Sequence, residues 1–234
     1  MSLGSADLAR LLALGAPILC VDTCTLLDVV RDVTRASVQL GNANACLSLL
    51  RKAETGTALV VLIADQVRLE LANNLPVVEQ EAFDALLKFQ SQAQRIDAIA
   101  NAFGAGGALQ MQHLHHHVPR TRAVFDRWTA CAQSVTPDQT VTARAFQRVN
   151  GPRTPARPGK ESMKDCVIVE TYLDAATQLR SAGLSSPIVF ASSNTKDFHA
   201  SGSSHLASDI SADFGALQIE YAPNFGAAKH LLGL

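Results

Sequence analysis

Hydrophobic positions along the chain fall into short, near-continuous runs separated by longer stretches with helical spacing. Four runs stand out: Ile18–Asp22, Ala58–Ala64, Ile188–Ala191 and Leu217–Tyr221, each bounded by turn or cap residues. Near-continuous apolar runs separated by helical patterns predict a parallel sheet covered on both faces by helices. Between the first two runs, Val38, Leu47, Leu49 and Leu50 mark a helix over Ala36–Glu54. After the second, Asp65 reads as the cap of a helix carrying Val67, Leu69 and Leu71.

The middle third, about 77–149, carries no strand pattern. Ala82, Leu86, Phe89, Ala93 and Ile96 lie at helical spacing, and Gly104–Gly107 is a breaker. The stretch predicts a helical insertion in an α/β fold rather than a repeat. A loop follows at Asn150–Gly159, with three prolines, two glycines and two arginines. It leads into a strong helix over Met163–Ala182, and the chain closes with a short helix near Ala227–Leu232. The organisation expected is one domain over 1–234, with the insertion at 77–149 and a basic loop at 150–162.

Composition narrows the class. The 234 residues are 47% hydrophobic and 18% charged, ordinary values for a soluble globular chain. A net charge of −1 gives no overall basic field, so any nucleic-acid partner must be held by a local surface. The five cysteines (Cys20, Cys24, Cys46, Cys131 and Cys166) are scattered, odd in number and without a CxxC pair. That usage points to a reducing cytosol rather than a disulfide scaffold. The apolar runs are far shorter than the ~20 residues of a membrane helix, and the N-terminal stretch is not a convincing signal peptide. A cytoplasmic protein with no membrane association is the expectation.

Four acidic segments carry candidate chemistry. Asp22 ends the first strand in ILCVDTCTLLD, where ligands of parallel α/β sheets bind, although an Asp there also caps the next helix. Thr23 and Asp28 beside it are weaker candidates. Glu70 lies more than one turn into the helix after the second strand, with a solvated helix face as the structural alternative. Asp165 opens the helix in GKESMKDCVIVETYL, where Ser162 to Asp165 also fits a capping box. Glu170 follows on that helix and either joins the site or faces water. The turn SSNTKDF, Ser192 to Phe198, follows the strand IVFA and aims Ser193, Asn194 and Asp197 at the same crevice, or simply caps a helix.

Basic residues cluster once. Arg144, Arg148, Arg153, Arg157, Lys160 and Lys164 stand against one acid, Glu161, and run directly into Asp165. Such a loop suits a phosphate backbone, and a solvated linker is the alternative. His113, His115, His116 and His117 lack a Cys or Glu partner at metal-site spacing, so a polar helix end is the better reading. No GxxxxGK[ST], GxGxxG or GxSxG motif is present.

Taken in order, a strand-end Asp, a helical Glu, an Asp opening a helix and a strand followed by an N-x-x-D-F turn resemble the PIN domain family. The resemblance covers roughly residues 17–75 and 158–222, and is nearest to larger PIN-like proteins with a helical insertion. It implies a three-layer α/β/α parallel-sheet domain and an endoribonuclease using Mg²⁺ or Mn²⁺. It also implies Asp22, Glu70, Asp165 and Asp197 as metal ligands and Asn194 beside them. Arg153, Arg157, Lys160, Lys164 and Ser193 would contact RNA. Thr195 stands where many family members place an acid, which puts the second metal position on Asn194 or Asp197. A homodimer and a protein inhibitor of the antitoxin kind are compatible with the resemblance. Two other readings stay open: an RNA-binding or scaffold domain with weak catalysis, and a Mg²⁺-dependent enzyme acting on a small phosphorylated molecule.

Overall fold

Five strands pair side by side, all parallel, in the computed structural model, which describes residues 2–157, 159 and 161–234. The chain opens with α1 (Ser5–Leu14), β1 (Ile18–Val21), α2 (Thr23–Leu27) and α3 (Leu40–Glu54). It continues through β2 (Val60–Ala64), α4 (Asp65–Ala102), a 3-10 turn (Gln112–Leu114) and α5 (His117–Cys131). Then come β3 (Gln133–Val135), α6 (Gln139–Asn150), α7 (Met163–Ser181) and β4 (Ile188–Ala191). The C-terminal part holds α8 (Thr195–Phe198), α9 (Ser208–Ala216), β5 (Ile219–Ala222) and α10 (Phe225–Leu231).

The strand order is β3-β2-β1-β4-β5. Every residue of β1, β2 and β4 is buried, as the unbroken apolar runs require. Helices flank the sheet in the three-layer α/β/α arrangement: α7 lies over β2 and β3, while α10 lies against β4 and β5 and packs on α3. Trp128 is fully buried in α5 and stacks on Phe225 of α10, ring centroids 5.2 Å apart. Because the strand order reverses between β1 and its neighbours, the carboxyl end of β1 is the switch point where ligands bind in such sheets.

Several local expectations are corrected. The stretch 77–149 carries a strand, β3, which pairs with β2 at the sheet edge. Three residues, Gln-Ser-Val, are too short and polar to give an apolar run, and pairing with β2 rather than local propensity makes them a strand. The two helices expected on either side of Val77 are one 38-residue helix, α4, which runs through Pro76. At 1.5 Å per residue it is about 57 Å long. Its N-cap position is Ala64, so Asp65 is the first helical residue and its charge favours the helix N-terminus through the dipole. Ser162 holds the N-cap position of α7, but its hydroxyl does not cap the helix. Among the described residues no helix is long and apolar enough to cross a membrane.

Candidate active site

Asp22 follows the last residue of β1 and caps α2, its Oδ1 accepting from the Thr23 amide at 2.8 Å. The capping alternative is therefore correct, and it leaves the second carboxylate oxygen for other work. Oδ2 accepts the Ser192 hydroxyl at 2.6 Å and the Cys24 thiol at 3.1 Å. Ser192 stands directly after β4, so the pairing of β1 with β4 brings the two together. Thr23 turns its hydroxyl the other way and donates to Glu70 Oε2 at 2.7 Å. Gln66, one turn earlier on α4, donates to Glu70 Oε1 at 3.1 Å. Glu70 thus faces the β1 end rather than open solvent.

Tyr172 of α7 sets the floor. Its hydroxyl donates to the Val21 carbonyl at 2.7 Å and accepts from the Ala64 amide at 3.0 Å. A side chain thereby satisfies backbone groups where β1 and β2 end, a buried accounting the ladder would otherwise leave open.

Beyond Ser192 the hydrogen-bond chain continues. The Asn194 amide nitrogen donates to Ser192 Oγ at 3.3 Å, and Asn194 Nδ2 donates to Asp197 Oδ2 at 2.6 Å. Asp197 is only 7% exposed, and the Arg157 guanidinium lies 3.6 Å from its Oδ1. Glu70, Thr23, Asp22, Ser192, Asn194 and Asp197 therefore form one connected polar line across the carboxyl ends of the central strands. Asp165 sits half-buried in the first turn of α7. Among the described residues, no three His, Cys, Asp or Glu side chains come close enough to hold a metal ion together. Asp22 and Glu70 are linked through Thr23, and the Glu70 charge acts on Asp22.

Electrostatics set Asp22 apart. Burial raises its carboxyl above the ordinary value, and the Glu70 charge pushes the same way. Hydrogen bonds from Ser192, Cys24 and Thr23 oppose the rise without cancelling it. All three donors are neutral, so Asp22 has no cation against it among its hydrogen-bond partners. A buried carboxylate beside a second carboxylate favours binding a cation. The donors are carboxylate and hydroxyl oxygens, which fit a hard divalent ion. Cys24 is the one soft atom, and burial together with the Asp22 charge pushes its thiol up to about 12. It stays protonated at neutral pH and acts as a donor.

The basic segment is largely spoken for. Arg148 is 3% exposed, donates to Glu170 Oε1 at 2.7 Å and Asp213 Oδ2 at 2.8 Å, and holds the Thr154 carbonyl at 2.7 Å. Arg144 binds Glu170 and Asp174, and Arg153 binds Asp213 at 2.7 Å. Glu170 thus neither faces water nor joins the acidic line; it is buried in this ion network. The Arg153 charge is neutralised on Asp213, which corrects the reading of the whole loop as a free basic surface. Arg157 reaches the site at Asp197, Lys164 is exposed in the first turn of α7, and Lys160 lies outside the described residues. Asp28 pairs with Arg31 at 3.3 Å. The histidines divide between the 3-10 turn and the start of α5 and form no metal group.

Ser192, Cys24, Gln66 and Tyr172 were not singled out from the sequence. Ser192 had a legible signal, since it immediately follows an apolar run just as Asp22 does. Neither a curated protein nor a solved structure gives a significant match to the chain. The PIN domain family model matches residues 19–198, from within β1 to the end of α8. That span includes Asp22, Glu70, Asp165, Ser192 and Asp197 on a nuclease-like fold. Matched over more than half its length, this chain belongs to the PIN domain family.

Proposed function

We propose that the protein is an endoribonuclease that depends on Mg²⁺ or Mn²⁺. The observation that carries the reading is the Asp22–Glu70 pair at the switch point of a PIN-family sheet, joined by Thr23 and, on Asp22, bonded only by neutral donors. Asp22 and Glu70 are the first metal ligands proposed, with Asp165 and Asp197 completing the set and Asn194 orienting Asp197. A bound divalent ion supplies an acidified water and charge stabilisation at the scissile phosphate. The chain's own residues do the rest. Ser192 and the Thr23 amide fix the Asp22 carboxylate, and the Thr23 hydroxyl fixes Glu70. We assign contact with the RNA backbone to Arg157, Lys164, Ser193 and Lys160, with Arg153 supporting the loop through Asp213.

Among the described residues no three carboxylates come together, which favours one second reading, a PIN domain that binds RNA but cleaves it weakly. Purified protein incubated with single-stranded RNA in Mg²⁺, Mn²⁺ or EDTA separates the two. The nuclease reading expects EDTA-sensitive cleavage that Asp22→Asn abolishes while RNA affinity persists. An Asp22→Asn protein that cuts as fast as the unaltered chain overturns it.

A further inference from the structure

A cavity of about 610 Å³ opens beside the acidic line, beyond the carboxyl ends of β1, β4 and β5. Its volume lies within the range of small-molecule sites, roughly 300–1,000 Å³, and admits a nucleotide. Thr25 and Ser193 form the wall it shares with the candidate active site. The Ser193 amide donates to Thr25 Oγ1 at 3.0 Å, and the adjacent Ser192 holds Asp22. One turn of chain thus faces the carboxylates on one side and the cavity on the other.

The remaining walls have the make-up of a base-reading site. Val38, Leu47 and Phe225 supply apolar surface, while Gln39, Asn42 and Asn224 supply side-chain amides. An amide presents a donor and an acceptor together, the pattern that matches a base edge. Asn224 spends Oδ1 on capping α10 through the Ala227 amide at 2.9 Å, which leaves its NH₂ group as a donor. Gly226 permits this crowding: a Cβ there would stand 2.8 Å from Asn42 Oδ1 and 3.2 Å from Asn224 Oδ1. Arg35 also lines the cavity and has no acidic partner among the described residues. A phosphate entering with the base meets a positive charge there.

We propose that this cavity is a nucleotide subsite that receives the unpaired base next to the cleaved phosphodiester, and so gives the enzyme its sequence preference. The proposal rests on the nuclease reading for the word "cleaved", but base binding itself does not need catalysis. Single-stranded RNA is the fitting substrate, because a base already paired has its Watson–Crick edge occupied.

The chain has one tryptophan, and Trp128 stacks on Phe225 of the cavity wall, so its fluorescence reports occupancy. Full-length protein in EDTA is titrated with AMP, GMP, CMP and UMP, and with inorganic phosphate as a control. The expected result is a saturable change with at least one nucleotide and none with phosphate. Asn42→Leu keeps the wall's bulk and removes the amide. It should weaken that nucleotide and raise the KM for RNA about tenfold, the scale of one lost hydrogen bond in a buried site. Cleavage of bis(p-nitrophenyl) phosphate, which has no base, should be unchanged. Arg35→Ala, a surface change, gives an independent second variant with the same direction. No saturable response to any nucleotide, an equal response to phosphate, or an unchanged KM in both variants overturns the subsite. Nucleotide binding without cleavage of either substrate overturns the nuclease reading and leaves the subsite standing.

Discussion

Ser192 Oγ donates to Asp22 Oδ2 across 2.6 Å, joining the ends of two strands that lie 170 residues apart in the chain. Both side chains are buried, at 0% and 7% exposure, so water does not replace the bond if it is lost. Ser192→Ala is expected to destabilise the metal-free protein by about 1–3 kcal/mol, the cost of leaving a buried acceptor short of a partner. Urea unfolding in EDTA measures it, and a change within a few tenths of a kcal/mol contradicts this account of Asp22.

Divalent cations should act on stability through the same residue. With burial and Glu70 both raising the Asp22 carboxyl, the charged pair is a liability in the absence of metal. An ion that binds only the native state at a hundred times its Kd adds about 2.7 kcal/mol. In a chain of this length that lifts the Tm by roughly 5–10 °C. Melting curves in millimolar Mg²⁺, Mn²⁺ and EDTA should therefore separate. Asp22→Asn should remove the separation and melt above the unaltered protein in EDTA. Identical midpoints in all three conditions would falsify a working metal site.

Arg148 is the keystone of the loop that carries Arg157. It ties α6 to Glu170 of α7 and Asp213 of α9, and holds the Thr154 carbonyl. Arg148→Met takes the buried cation from Glu170 and Asp213, leaving them only the part-exposed Arg144 and Arg153, and should cost about 3–5 kcal/mol, as breaking a buried pair does. Chemical denaturation gives the number. A loss under 1 kcal/mol would mean that water reaches Glu170 freely.

Asp209 predicts a pH signature for the same loop. It accepts the Thr154 amide at 2.6 Å and hydroxyl at 2.8 Å. Burial alone would raise its carboxyl, but these bonds together with backbone amides of α9 outweigh burial and hold it below the usual value. A lowered carboxyl stabilises the fold fully above the unfolded-state value of about 4, and that stability drains away as pH falls through the folded value. Asp209→Asn should therefore be least stable relative to the unaltered chain at neutral pH, and the gap should close in acid. Thermal melts from neutral pH down to about 3 test this; a gap that widens in acid reverses the sign.

The arginines of the loop should divide by function. Arg157→Ala and Lys164→Ala should each weaken RNA binding and reduce the slope of log K against log salt by about 0.7, one released counterion per single-strand contact. Arg153→Ala should change stability more than the salt slope, because Asp213 already neutralises it. Filter binding over a salt series distinguishes these outcomes. Equal slopes for all three variants would restore the loop as a uniform basic surface.

What the sequence determined by itself was local. Unbroken apolar runs announce β1, β2 and β4, because a strand buried on both faces must be apolar at every position. A polar residue at the end of such a run is placed at the sheet's carboxyl edge by covalent connectivity alone, so Asp22 and the Ser192–Asp197 turn were legible. Tertiary structure decided what depends on a distant partner. Gln133–Val135 is a strand only because β2 lies beside it. Thr23 reaches Glu70 from 47 residues away, and no spacing rule reports that a threonine joins two carboxylates. The six basic residues of the loop region look alike in sequence. Packing of α6, α7 and α9 gives Arg144, Arg148 and Arg153 acidic partners, and leaves Lys164 exposed and Arg157 against Asp197. Burial patterns repeat along a helix or strand and can be read residue by residue. Charge pairing is a property of two segments brought within about 4 Å, and it exists only once the chain has folded.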